Sequence, residues 1–279
     1  MIRIITDSTS EISPAKAKEL NIDVIPLYVT FNEKTYKDKV EISNEEFYNQ
    51  LINSEVLPTT SQPNPHDFYE VFSKYPNDTI IGIFLTSKLS GTFQSAVIAK
   101  EMIENNDNIH LIDAQNLTVS LTLLVNEAIK LRDSGCDAGT IINQMNKMIP
   151  HIKLLAYVDT VKYLKMGGRI SSIKALLSMS FGISPIIGIE DGAIVSVAKC
   201  KSKRKANKFI KDFIERYPID SNYDVAYAHS ECIDDVNELV ACLDLKEKYS
   251  INEIGPVVGT HAGPKAYGIA YITTSKWIK

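Results

Sequence analysis

The sequence predicts an α/β protein made of two α/β domains, the first built on a parallel sheet and the second mixed. Three observations predict it. Apolar runs alternate with amphipathic ones through the first half, as βαβ units require. One run, "TIIGIFL", is apolar without a break, the mark of a strand covered on both faces. The second half changes character and carries a hairpin signal, "SPIIGIEDGAIVSVAK", with Asp-Gly between β-branched runs. A chain of 279 residues has room for two domains of ordinary size. The expected boundary falls near residue 157, giving domains 1–157 and 158–279.

The elements follow in order. "IRIITD" is a short strand. "SPAKAKELN" has Ser13 at the N-cap and Pro14 at the first helical position. "IDVIPLYVTF" is β-branched and extended. "SNEEFYNQLIN" shows a capping-box spacing, Ser43 with Glu46 three residues on. After "TIIGIFL" come an amphipathic helix, "GTFQSAVIAKEMIE", a strand, "IHLIDA", and a long helix, "LTVSLTLLVNEAIKLRDSG", ending near Gly135. In the second half, "DTVKYLKMGGRI" reads as a helix stopped by Gly167 and Gly168, and "SSIKALLSMSF" as a further apolar helix. Beyond the hairpin, "KRKANKFIKDFIERY" is a helix, "DVAYAHS" a strand and "CIDDVNELVACLDLK" a helix. "EIGPVVGTHAGPKAYGIAYIT" reads as two strands about a turn.

Composition narrows the function. Hydrophobic residues make up 44%, charged residues 23%, and the net charge is −4. That is a globular composition without the basic excess of a nucleic-acid binder. "MIRIITDSTS" runs directly into a strand, without the apolar core of a signal peptide. No segment reaches the roughly 18–20 apolar residues of a membrane span. A cytoplasmic location is expected. The four cysteines form no C-x-x-C pair and are expected to be free, structural thiols. The five histidines form no H-x-x-x-H pair, and there is neither a P-loop nor a G-x-G-x-x-G. Neither a metal nor a cofactor is expected.

Four loops are rich in Gly, Pro, Ser and Thr, the composition expected where ligands bind at strand ends. "ITDSTSE" presents Asp7, Ser8 and Thr9, either as a site or as local caps. "PTTSQPNPHDF" holds Thr59, Thr60 and Ser61 in a proline-stiffened stretch before Asn64 caps a helix. "TSKLSGTFQSA" places Ser90, Gly91 and Thr92 at a helix N-terminus, which suits an anion, and equally a simple cap. "GPVVGTHAGPKAYG" carries His261, an acid, base, donor or turn residue.

In this order and spacing, "TDSTSE", "PTTSQPNP", "TSKLSGTFQSA", "DTVKYLKMGGRISS" and "GPVVGTHAGPKAYG" resemble the DegV family over essentially the whole chain. The family contains FakB, the fatty-acid-binding subunits of bacterial fatty acid kinase. The resemblance implies two α/β domains with a long-chain fatty acid between them and no catalysis by the protein itself. It also implies a partner, the kinase subunit FakA. That subunit phosphorylates the presented carboxylate with ATP, and the acyl phosphate feeds phospholipid synthesis. No nucleic acid is implied, and a transient membrane contact is compatible. By motif, the carboxylate ligands fall on Thr60, Ser90, the Gly91 N–H and His261. Ser61, Arg169 and Lys201 fall at the carboxyl end or kinase interface. Lys201 stands where the family often has an arginine, and Lys265 where Gly-Pro-Gly is usual. A lysine lacks the bidentate fork of an arginine.

Some readings stay open. Leu176, Leu177, Met179 and Phe181 serve an ordinary core or an acyl tunnel. The basic run 199–211 is a solvated face or a docking surface for an acidic partner. A hydrolase or acyltransferase would use Ser90 as nucleophile and His261 as base, although "KLSGT" lacks the G-x-S-x-G elbow. A binding module for phosphorylated metabolites would use the same helix N-terminus.

Overall fold

A computed structural model describes residues 1–54, 56–169 and 182–274. The expected helix "SSIKALLSMSF" and its Leu176, Leu177, Met179 and Phe181 lie outside the described residues.

The first half is built on a four-stranded sheet, β1 (Ile2–Asp7), β2 (Asp23–Ile25), β6 (Thr79–Phe84) and β7 (Ile109–Asp113), in the order β2-β1-β6-β7. Every pairing in it is parallel, as the uninterrupted apolar runs require. Helices α1 (Pro14–Glu19), α3 (Pro65–Phe72), α4 (Thr92–Glu101), α5 (Val119–Asp133) and α6 (Ala138–Met148) accompany it. The run "IDVIPLYVTF" is broken at Pro26-Leu27. Its second part, β3 (Tyr28–Phe31), leaves the main sheet and pairs antiparallel with β4 (Lys34–Lys37) and β5 (Thr59–Ser61). This small sheet carries α2 (Asn44–Asn53), whose Phe47 and Tyr48 are buried with Val29 and Phe31. Ser43 caps α2 through the Glu46 N–H, while the reciprocal capping box forms on α3, between Asn64 and Asp67.

The second half is a six-stranded mixed sheet, β10-β9-β8-β13-β11-β12. Its strands are β8 (Ile152–Tyr157), β9 (Ser184–Glu190), β10 (Ala193–Cys200), β11 (Val225–His229), β12 (Tyr249–Glu253) and β13 (Tyr267–Ile272). Only β11 and β12 pair in parallel. Strand β8, N-terminal to the expected boundary near 157, is hydrogen-bonded into this second sheet, so sheet membership changes just before residue 152. The expected hairpin forms, with Asp191 and Gly192 both at positive φ (49° and 79°) as a tight primed turn needs. The Thr86 hydroxyl donates to the Gly192 carbonyl at 2.8 Å, tying the hairpin tip to the first half.

Helices α7 (Lys162–Met166), α8 (Lys203–Arg216), α9 (Ile233–Leu243) and α10 (Pro256–Ala262) complete the described chain. Helix α8 carries the basic run on its exposed side, where Lys203 pairs with Asp235 and Lys208 with Asp212. Its Ala206, Ile210 and Phe213 are buried. Helix α10 corrects the expectation of two strands about a turn: "PVVGTHA" is helical, and strand β12 precedes it.

Helix α5 explains how the halves join. Val119 through Val125 are all buried, and the helix packs on β1 and β6 on one side and on β8, β11 and β13 on the other. A helix buried all round through its first two turns belongs between two layers there. One apolar cluster therefore runs from Ile4 and Ile83 through Leu121 and Leu124 to Leu154 and Ala270.

Candidate ligand-binding site

Where the two sheets diverge, a cavity of about 470 Å³ opens between them. That lies within the roughly 300–1,000 Å³ of ligand cavities. Its walls are largely aliphatic, with Leu85, Leu89 and Leu117 from the first half and Leu154, Ile187 and Ile189 from the second. The sheet side of the wall is stepped down by small residues. Ala228, Gly268 and Ala156 lie in register across β11, β13 and β8, and all three line the cavity. Gly268 has no room for a side chain, since a Cβ would come within 2.2 Å of the Leu155 carbonyl. Three small residues in a row form a trough running across the strands.

Polar side chains gather on one part of this wall. Strand β5 presents Thr60, and the last turn of α10 presents His261; Thr60 Oγ1 and His261 Nε2 are 2.8 Å apart. The other ring nitrogen, Nδ1, is buried and has no hydrogen-bond partner among the described residues. It sits against Gly167, where a Cβ would be 2.1 Å away, so "GGR" owes its first glycine to the imidazole. Burial, and secondarily the positive charge of Arg169, pull the His261 pKa down to about 4, so the ring is neutral at pH 7. Arg169 donates through Nε to the Leu89 carbonyl at 3.3 Å and through Nη1 to the Gly167 carbonyl at 2.7 Å. It thereby spans from the residue before Ser90 to the glycine under His261. The Ser90 hydroxyl lies 2.9 Å from Thr92 Oγ1 and accepts from the Thr92 N–H at 3.3 Å.

Thr60, Ser61, Ser90, Arg169 and His261 thus all line one cavity. Two expected residues do not. Lys201 is exposed in the turn between β10 and α8, away from the wall. Gly91 is the N-cap of α4 and is covered by the Gln62 side chain, whose Oε1 lies 2.0 Å from where a Cβ would stand. The glycine makes room for Gln62. Gln62 itself lines the cavity and donates to Ser95 Oγ at 3.0 Å. Sequence reasoning missed it, although the period-two alternation of an extended segment puts Gln62 on the face of Thr60.

The motif "TDSTSE" is both cap and long-range clamp. Asp7 accepts from the Thr9 N–H and hydroxyl, at 2.9 and 2.6 Å, and from the Leu85 N–H at 2.8 Å. Thr9 and Thr118 line the cavity, yet their hydroxyls are donated to Asp7 and Glu11. A serine-nucleophile arrangement is not formed. His261 Nε2 faces Thr60 rather than Ser90, and among the described residues no carboxylate orients Nδ1. Among the described residues no group of His, Cys, Asp or Glu is placed to hold a metal, and no helix is long and apolar enough to cross a membrane. All four cysteines are free thiols.

Two α/β halves thus enclose an apolar cavity that, among the described residues, carries neutral donors and one guanidinium on its wall. The chain belongs to the DegV family, whose model, described as an uncharacterised protein family, matches residues 1–274. A DegV domain-containing protein of Caldanaerobacter subterraneus is 35% identical over 276 residues, covering 97% of this chain and 98% of that protein. A DegV family protein from Thermus thermophilus, solved for its fatty acid binding, superposes with a TM-score of 0.88 at 27% identity, covering 97% of this chain and 99% of that one. DegV of Bacillus subtilis, a fatty acid binding protein, gives 0.86 at 27% identity, with 98% and 99% covered.

Proposed function

We propose that this protein binds a long-chain fatty acid in the cavity, its carboxylate at Thr60, Ser90, Arg169 and His261. We further propose that it presents that carboxylate to a separate ATP-dependent kinase subunit, FakA, for acyl-phosphate formation that feeds phospholipid synthesis. One observation carries the binding reading: four donor-bearing side chains, Thr60, Ser90, Arg169 and His261, line a cavity whose wall is largely aliphatic. The energetics agree with a lipid tail. A sixteen-carbon chain buries about 14 methylenes at roughly 0.8 kcal/mol each, on the order of 11 kcal/mol gross, offset in part by lost ligand freedom. The carboxylate, unpaired, would cost several kcal/mol, and hydroxyls with a guanidinium meet that demand. The protein supplies a binding surface and no nucleophile; the chemistry belongs to the kinase.

Mass spectrometry of the organic extract of denatured, purified protein tests binding. Stoichiometric fatty acid is the expected result. An empty extract together with no uptake of added oleate or palmitate would sink the reading. With the kinase subunit and ATP, hydroxylamine should trap an acyl hydroxamate, and its absence removes the kinase step alone.

A further inference from the structure

Helix α10 holds His261 at its C-terminal end, but its N-terminal end rests on a buried ionic cluster supplied by the first half. Glu11, the last residue of "TDSTSE", has a side chain with 0% exposure, and its ion-pair partner Lys39 has 10%. The Glu11 carboxylate accepts from Lys39, from the Thr118 hydroxyl at 3.0 Å and from the Gly255 N–H at 2.9 Å. Lys39 also donates to the Ser8 carbonyl at 2.9 Å. Asp38, buried beside it, accepts from the Val257 N–H at 3.4 Å. Two carboxylates thus hold the first N–H groups of α10. The fit is close, since a Cβ on Gly255 would lie 2.1 Å from Lys39 Cε. A seven-residue helix transmits the position of its first turn to its last.

We propose that Glu11, paired with Lys39, is a positioning residue for carboxylate recognition: it seats α10 so that His261 meets Thr60 in the polar wall. The cluster touches no ligand in this scheme; it acts through the helix. The proposal rests on the fatty acid reading for its binding readout and on the imidazole itself for its other readout.

The test compares two double variants in the full chain, each lacking the Glu11–Lys39 ion pair; both take the Lys39 charge from buried Asp38 alike, so that loss cancels between them. Glu11→Gln with Lys39→Met keeps an acceptor for the Gly255 N–H. Glu11→Leu with Lys39→Met removes it. The first readout is the ratio of affinities for palmitic acid and hexadecanol, which isolates the head group; a general loss of folded protein lowers both equally and leaves the ratio alone. The leucine variant should lose about tenfold in this ratio, as for one ordinary hydrogen bond. The glutamine variant should stay within about twofold of wild type. The second readout, in ligand-free protein, is the His261 ring NMR signal, which should move in the leucine variant and stay in the glutamine variant. Gly255→Ala, which retains both charges, should reproduce the leucine result and serves if that variant does not fold. A wild-type ratio and an unmoved His261 signal in Gly255→Ala or the leucine variant would overturn the proposal, as would equal losses in both double variants. If wild-type protein binds neither lipid, the fatty acid reading falls, and the His261 signal still decides the positioning.

Discussion

At the residue scale, the site rests on a histidine that is neutral because it is buried. A His pKa near 4 means that His261 accepts or donates one hydrogen bond at pH 7 without adding charge. A carboxylate arriving beside it favours the protonated ring. We therefore expect the His261 ring to titrate well below 6.5 in empty protein and at higher pH once palmitate is bound, as read from its NMR shift. Titration near 6.5 in both states would show a ring in water and no carboxylate contact. Thr60, Ser90, Arg169 and His261 were legible because hydroxyls and a lone histidine in Gly- and Pro-punctuated loops stand out. Lys201 lies off the cavity wall, exposed after β10; a motif position says nothing about which side of a turn faces the cavity. Gln62 went unseen because a long amide near a capping site has an easier local explanation.

At the scale of elements, strands and long helices announced themselves by period, while α10 did not. "PVVG" is β-branched and short, and it reads as a strand. The signal that was present is Gly255, Gly259 and Gly263, four residues apart, which is helical spacing. Each packs tightly: against Lys39 and Glu11, against Tyr48 and Phe47, and against Tyr163. The helix exists because its glycines let it sit close to three other elements, a tertiary fact that local propensity opposes. The in-register trough across β11, β13 and β8 is likewise invisible before strand order is known. It makes a prediction of its own. Ala156→Leu fills the trough, and the mutant should reject the longest acyl chains by tenfold or more while keeping shorter ones, consistent with roughly 1–3 kcal/mol per misfit methylene. An extract with an unchanged chain-length profile would show that the acyl chain runs elsewhere.

At the scale of the whole molecule, α5 and its shared cluster make the two halves one core, and buried charges set how that core responds to pH. Burial lifts the Asp38 carboxyl to about 6 despite the opposing Lys39 charge, and likewise Asp7 despite its hydrogen bonds from Thr9 and Leu85. A raised carboxyl contributes stability below its ordinary value of 3.8 and loses it as pH climbs through about 6. His261 works the other way, losing stability as pH falls from 6.5 toward about 4. The two trends offset each other in the native protein. Asp38→Asn removes one of them, so its stability relative to wild type should improve between pH 4 and pH 7, by up to roughly 3 kcal/mol at about 1.4 kcal/mol per pKa unit. Urea melts at both pH values check this, and a constant difference would mean that Asp38 does not titrate in this window.

Ile187, Gly188, Ile189 and Ile194 wall the cavity from a hairpin whose tip is fastened to the first half through Thr86 and Gly192. Thr86→Val removes that tie and leaves the polar wall untouched. On the fatty acid reading, bound palmitate should then leave faster in a displacement time course while the preference for palmitic acid over hexadecanol stays as in wild type; an unchanged off-rate would mean that the hairpin is not the way out.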